Sequence, residues 1–245
     1  MIALWKKLYE TPLESLERLR GANESFKEER LSYAGRLDPM AEGVMPVMVG
    51  DECSQRDIFL GFDKYYEADV IFGISTDSLD LLGVVTDIAH VPDIFKAQIE
   101  TAIRPFIGTI EQMLPFFSSK AIASGLDRVR TGTAPVHKKI VQVKKIDITG
   151  ISTKTIQDIA SQAIVATEKV IGDFRQADIK KSWEDTLKKN PTSTALIVTL
   201  KIESGTGFYV RAFARDLGEV LGVPACVLRL VRTRAGDWEK KDCII

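Results

Sequence analysis

Four short segments carry side chains whose types and spacing could do chemistry. The first is Tyr33-Ala34-Gly35-Arg36-Leu37-Asp38-Pro39-Met40-Ala41-Glu42-Gly43. Asp38 could cap a helix opening at Pro39, but Gly43 and Pro46 leave that helix only one turn. A carboxylate held in a short rigid loop between glycines suits catalysis. The second segment, Gly205-Thr206-Gly207-Phe208-Tyr209-Val210-Arg211, joins a strand to a helix. Arg211 falls in the first helical turn, where the helix dipole disfavours a cation. It fits there if it faces an anion, either a carboxylate or a phosphate. The third, Lys64-Tyr65-Tyr66, enters a strand. Adjacent tyrosines then point to opposite faces, one into the core and one available for stacking. The fourth, Asp77-Ser78-Leu79-Asp80, reads as a capped turn or acidic loop ahead of a metal or acid/base pair. Without a Walker motif or an early GxGxxG, a nucleotide cofactor is not indicated.

Local patterns predict the elements that must position these residues. Thr11-Pro12-Leu13-Glu14 is a capping box with proline at the first helical position. Leu13, Leu16 and Leu19 follow at helical spacing, and Gly21 ends the run. Residues 44–49 read as a short strand, with Pro46 indicating an edge or a bulge. Residues 65–72 and 140–149 are strand-like, and 195–203 is a strong strand. Residues 93–106 read as a helix with Ile99, Ala102, Ile103 and Phe106 on one face. Two helices are expected in 153–188, the second stopped by Asn190-Pro191. A last helix runs from Val210 to Leu221 with a stripe of Val210, Phe213, Ala214, Leu217, Val220 and Leu221, and Gly222 lies past its end. Strands and helices alternate without a βαβ rhythm, which favours an α+β fold.

The 245 residues suffice for one large domain or two small ones, and 45% hydrophobic with 27% charged residues is an ordinary globular composition. No linker or repeat divides the chain, so one domain with a helical elaboration is expected. Three scattered cysteines argue for a reducing compartment. Two histidines and no CxxC argue against zinc. No apolar run is long enough for a membrane span, and charge at the N-terminus argues against a signal peptide. The net charge of −1 hides a polarity: residues 67–100 hold seven acids and one base, and residues 118–145 hold seven bases and one acid. A polyanionic partner responds to such local charge rather than to the sum.

Five segments, in order, resemble the TruB family of tRNA pseudouridine synthases, over about residues 31–145 and 196–238. They are GRLDPMAEG (35–43); Lys64-Tyr65-Tyr66 with Gly73, Thr76, Asp77, Asp80 and Gly83; Gln112, Pro115 and Ser118 with Arg130-Thr131-Gly132; GFYVRAFARDLG (207–218); and Leu230, Arg232, Thr233 and Gly236. The resemblance implies a pseudouridine synthase fold, with a mixed, mostly antiparallel central sheet flanked by helices. It implies a basic thumb at about 112–140 and a helical insertion at about 151–190. The chain stops at Ile245, soon after the last motif, so a C-terminal RNA-binding PUA domain is not expected. Tyr33 stands where the family usually has histidine, and Lys6 or Lys7 stands for an N-terminal lysine.

The resemblance also assigns roles. Asp38 aligns with the catalytic aspartate, Arg211 with the arginine that pairs with it, and Tyr66 with the tyrosine that stacks on the target base. Tyr209 and Leu230 align with pocket walls. Tyr33, Arg36, Lys64, Lys120, Arg128, Arg130, Lys138 and Lys139 are candidate RNA contacts. The implied reaction breaks the N1–C1′ bond of a uridine, turns the base and rejoins it through C5. It needs a carboxylate as nucleophile or base. An arginine partner favours the charged carboxylate and aims it, and an aromatic platform replaces lost base stacking. No cofactor or metal is called for. The expected partner is the T-arm of tRNA, at uridine 55, for a cytoplasmic monomer that touches no membrane. Another structured RNA, or a non-catalytic RNA-binding or folding role, stands as the alternative.

Overall fold

In the computed structural model, which describes residues 1–92, 94–118, 125, 133 and 135–245, β1 (Ile2–Lys6) leads into α1 (Pro12–Ala22), β2 (Leu31–Tyr33), β3 (Ala41–Val49) and the short α2 (Arg56–Leu60). Next come β4 (Lys64–Phe72), β5 (Ile74–Thr76), β6 (Val85–Ile88), α3 (Lys96–Ile103), β7 (Gly108–Met113) and β8 (Lys138–Thr155). A helical hairpin, α4 (Ile156–Lys169) and α5 (Gln176–Lys189), precedes β9 (Thr194–Ser204). The chain then forms α6 (Val210–Leu221), β10 (Ala225–Ala235), β11 (Trp238–Glu239) and β12 (Cys243–Ile244). Among the described residues no helix is long and apolar enough to cross a membrane.

The main sheet runs β12-β1-β3-β10-β4-β9-β8-β7, with β2 added to β3 and β11 to β10. The β1–β12 and β3–β10 pairings are parallel, and the others in this sheet are antiparallel. The α+β class is the one the element pattern favours, and the mixed, mostly antiparallel sheet is the one the family resemblance implies. The period of two along β4 builds both faces. Ala68, Val70 and Phe72 point to a core shared with α3 and α6, while Ile71 points to a core shared with α4 and α5. Phe213 and Trp183, both fully buried, anchor the two helical layers.

Several expected boundaries shift for physical reasons. The capping box at Thr11 is formed, but α1 runs through Gly21 and is ended by Asn23. Leu13 and Val220 are exposed, because each falls at the rim of its helical stripe. The strand around Pro46 is not at an edge: β1 covers one side of β3, and β10 and β2 cover the two ends of the other. Pro46 sits in the gap between β10 and β2, where its missing N–H breaks no ladder, while its carbonyl accepts from Ala34 N at 2.9 Å. The helix expected over 93–106 covers Lys96–Ile103 and closes in a 3-10 turn, Arg104–Phe106.

Candidate active site

Asp38 lies in a tight turn rather than a helix. Ala41 N donates to Asp38 O at 2.9 Å, and β3 starts at Ala41. Two buried cations fix this turn: Lys6 at its end and Arg232 across both flanks. Lys6 Nζ, from β1, donates to Ala41 O at 2.6 Å. Arg232, from β10, donates through Nε to Val44 O at 2.7 Å and through Nη2 to Gly35 O at 2.9 Å. Tyr9 N adds a bond to Pro39 O at 2.8 Å. Burial brings the Lys6 ammonium down to about 8, although Asp38 and Glu10 pull it the other way. Burial also lowers Arg232, with the Tyr66 hydroxyl partly offsetting it. Of the two N-terminal lysines considered, Lys6 is the one tied to the Asp38 turn.

Arg211 occupies the first turn of α6 with its side chain 5% exposed. Its Nη2 lies 2.6 Å from Asp38 Oδ2, and its Nε lies 3.7 Å from Asp80 Oδ2. Nη1 donates to Ser78 O at 2.6 Å, and Nη2 also donates to Phe117 O at 3.1 Å. The misplaced cation of the sequence therefore does face carboxylates. Burial works against its charge, but Asp38 and Asp80 more than compensate, so its pKa is raised. The helix start is held by Gln112, whose side chain accepts from Tyr209 N at 2.8 Å and donates to Tyr209 O at 3.1 Å.

Asp38 and Arg211 stand between two cavities. The first, of about 240 Å³, is lined by Asp38, Arg211, Tyr66, Tyr209, Leu230, Arg36, Lys64, Lys139 and Arg232, with Phe208 and Val210. This is below the roughly 300–1,000 Å³ of drug-sized sites and suits one small ring system. The second, of about 110 Å³, lies on the far side of Asp38, among Arg36, Pro39, Asp80, Leu82, Phe117, Phe174 and Arg175. Tyr66 is buried in the α6 core and its ring lines the first cavity, while Tyr65 points away to Glu203 and Arg234. The opposite-face expectation for the two tyrosines is met.

The remaining candidates divide by location. Lys139 borders the first cavity against Gly207, whose φ of +83° and missing Cβ leave room for the lysine stem. Lys64 borders it too, but its ammonium is buried and donates to Leu60 O at 2.8 Å and to Phe62 O. Burial, with Arg232 and Lys139 nearby, brings that ammonium down to about 8. Lys138 is on the surface, paired with Glu111 at 2.7 Å. Tyr33 packs against the Leu4, Leu16 and Met45 cluster and lines neither cavity. Lys120, Arg128 and Arg130 lie outside the described residues.

Asp80, Gln112, Lys6 and Arg232 belong to the site although no role was read for them from residue types. Asp80 looked like part of an acidic loop, yet its side chain is 6% exposed. Its Oδ1 accepts from Ser78 Oγ at 2.7 Å and Leu82 N at 2.9 Å. The TruB-like motif containing it was the available signal.

Comparison with known proteins agrees with this geometry. Residues 23–170 match the model of the TruB family pseudouridylate synthase N-terminal domain. The chain is 29% identical over 220 residues to tRNA pseudouridine synthase B of Xanthomonas oryzae, covering 90% of this chain and 59% of that protein. It is 30% identical over 230 residues to the Moorella thermoacetica protein of the same name, covering 94% and 64%. The chain thus spans about three-fifths of the length of these relatives. Among solved structures, a Cbf5-Nop10-Gar1 complex aligns with a TM-score of 0.59 at 18% identity, covering 98% of this chain and 49% of that one. An H/ACA RNP bound to a substrate RNA containing 2′-deoxyuridine aligns with the same score and identity, covering 99% and 50%. These two show likeness of fold.

Proposed function

The chain belongs to the TruB family of pseudouridylate synthases, and on that footing we propose that it is an isomerase converting uridine to pseudouridine in tRNA, at position 55 of the T-arm. The observation that carries this reading is the 2.6 Å contact between Asp38 and the buried Arg211 at the wall of a cavity lined by Tyr66. Asp38 acts as nucleophile or base. Arg211 holds it in line, itself anchored by the Ser78 and Phe117 carbonyls and drawn by Asp80. The target uridine leaves its stack and enters the first cavity, where the Tyr66 ring takes the face of the base between Tyr209 and Leu230. The N1–C1′ bond breaks, the ring turns, and a C5–C1′ bond forms. The C5 proton is lost and N1 gains one.

In this reading Arg36 and Lys139, at the cavity border, meet the RNA backbone, and the basic residues of the thumb extend that contact. Residues 1–245 act as one catalytic unit, with the α4–α5 hairpin as an insertion in it. The enzyme works as a cytoplasmic monomer, where tRNA is. The names of the relatives, tRNA pseudouridine synthase B, support tRNA over another structured RNA. A non-catalytic role fits poorly with an intact Asp38–Arg211 pair on a cavity.

The test is tritium release from an unmodified tRNA transcript labelled at uracil C5. Wild type should release tritium, Asp38→Asn should lose at least a thousandfold in rate, and mapping should place the product at position 55. Asp38→Asn activity within tenfold of wild type would overturn the assignment. Product at another uridine would move the reading to a different RNA site.

A further inference from the structure

We propose that Arg175, in the turn between α4 and α5, is a positioning residue for the Asp38–Arg211 pair. Arg175 breaks two local rules. It is a non-glycine residue in the left-handed region, with φ of 60° and ψ of 36°, and it is a cation at the N-terminus of α5. Within its own turn its N–H donates to Asp173 Oδ1 at 3.4 Å, and Asp178 places an acid in the first turn of α5. Such conflicts persist where surrounding contacts over-determine the residue, and here the contacts of the guanidinium lead to Arg211.

The Arg175 guanidinium grips the Asp77 carboxylate with two bonds, Nη1 to Oδ2 at 2.6 Å and Nη2 to Oδ1 at 3.1 Å. Its Cζ also lies over the Phe117 ring, 4.5 Å from the ring centre. The two backbone carbonyls that hold Arg211 belong to Ser78, the residue after Asp77, and to Phe117 itself. One guanidinium therefore clamps both segments that orient the other. The loop on the Asp77 side also contains Asp80, the second carboxylate facing Arg211. The rest of the hairpin holds this loop independently: Ser182 Oγ accepts from Val85 N at 2.9 Å, and Trp183 Nε1 donates to Leu81 O at 3.3 Å. Removing Arg175 should thus loosen the register of the Arg211 carbonyls without releasing the hairpin.

The catalytic consequence rests on the function proposed above, but the clamp itself does not. Arg175→Ala should fold, bind tRNA within threefold of wild type, and lose tenfold or more in single-turnover tritium release. Arg175→Lys restores the charge but neither the two-pronged grip nor the stacking plane, so it should recover only a minor part of the rate. In protein labelled with ¹⁵N-arginine, the Arg211 Nε–H signal, identified by its loss in Arg211→Lys, should shift and exchange faster in Arg175→Ala. If Arg175→Ala does not fold, Asp77→Asn and Phe117→Leu each open one arm of the clamp and should give the same two changes. A rate within twofold of wild type together with an unmoved Arg211 signal overturns the proposal. If wild type itself releases no tritium, the functional reading fails, and the Arg211 signal alone decides the clamp.

Discussion

Asp38 and Asp80 share one guanidinium, and their environments separate their roles. The Asp38 side chain is 26% exposed and borders both cavities, while that of Asp80 is 6% exposed and closed off by Ser78 and Leu82. Burial raises the Asp80 carboxyl above the usual carboxylate range, against the pull of Arg211 and the Ser78 hydroxyl. At 3.7 Å its carboxylate pulls on Arg211 Nε without a hydrogen bond, and among the described residues that buried Nε has no hydrogen-bond partner. Asp80 therefore faces the Nε edge of Arg211 while Asp38 takes Nη2. Asp80→Asn keeps the oxygen that accepts from Ser78 and Leu82 but removes the charge. Its unfolding free energy should stay within about 1 kcal/mol of wild type, because the desolvation cost leaves with the charge. Its single-turnover rate should fall about tenfold as Arg211 is re-aimed. Urea unfolding beside tritium release separates these effects, and an unchanged rate would remove Asp80 from the aiming of Arg211.

At the scale of elements, the Asp38 turn depends on how closely β3 approaches β10. Gly43 has a φ of +132°, and a Cβ there would lie 2.7 Å from Arg232 N and 2.8 Å from its carbonyl carbon. Those are backbone atoms of the paired strand and cannot move aside as a flexible side chain would. Gly43→Ala should force the parallel β3–β10 pairing open and cost about 3 kcal/mol or more. It should also lower activity, because Arg232 is the brace for Gly35 and Val44. A urea midpoint near that of wild type would show that the strands can separate freely. The same contacts explain what was legible in the sequence. The amphipathic pattern gave α6 its limits, and the capping box gave α1 its start, because both signals are local. The ordered motifs singled out Asp38, Tyr66 and Arg211, which the fold brings to one cavity. Gln112 to Tyr209, Lys6 to Ala41 and Arg232 to Gly35 join residues far apart in the chain, and no local pattern shows such a pairing. Pro46 misled for a related reason: a missing donor marks a place without a ladder bond, and a gap between two neighbours meets that need as well as an edge does.

For the whole molecule, bracing the site with buried cations sets how stability depends on pH. Burial brings Lys6 and Lys64 down to about 8 in the folded protein, from an ordinary value of 10.5. Above pH 8 the native state sheds these protons while the unfolded chain still holds them. The unfolded chain then binds more protons, so unfolding free energy rises with pH through this window. Below pH 8 the cost of burying both charges is fully present. The thiols act with the opposite sign. Burial raises Cys226 far above the usual thiol range and Cys243 to about 11. Above about pH 8.5 the unfolded chain loses thiol protons that the native state keeps, and stability falls. Stability should therefore climb from pH 8 to about pH 9 and flatten beyond it. Lys6→Met isolates the lysine part. It leaves Ala41 O without its donor, which costs about 1–3 kcal/mol at any pH, so the slope and not the level is the informative quantity. Between pH 8 and 9.5 the variant's slope should be lower than that of wild type by up to about 1.4 kcal/mol per pH unit, the value of one proton. Urea unfolding in reducing buffer across this range measures it. Parallel curves for the two proteins would mean that folded Lys6 keeps its proton through this range, as the unfolded chain does, and that burial does not lower it. The Lys6 ammonium would then stay charged beside Asp38 up to pH 9.5, and would hold the Asp38 turn together with Arg232 and Arg211 across the whole range.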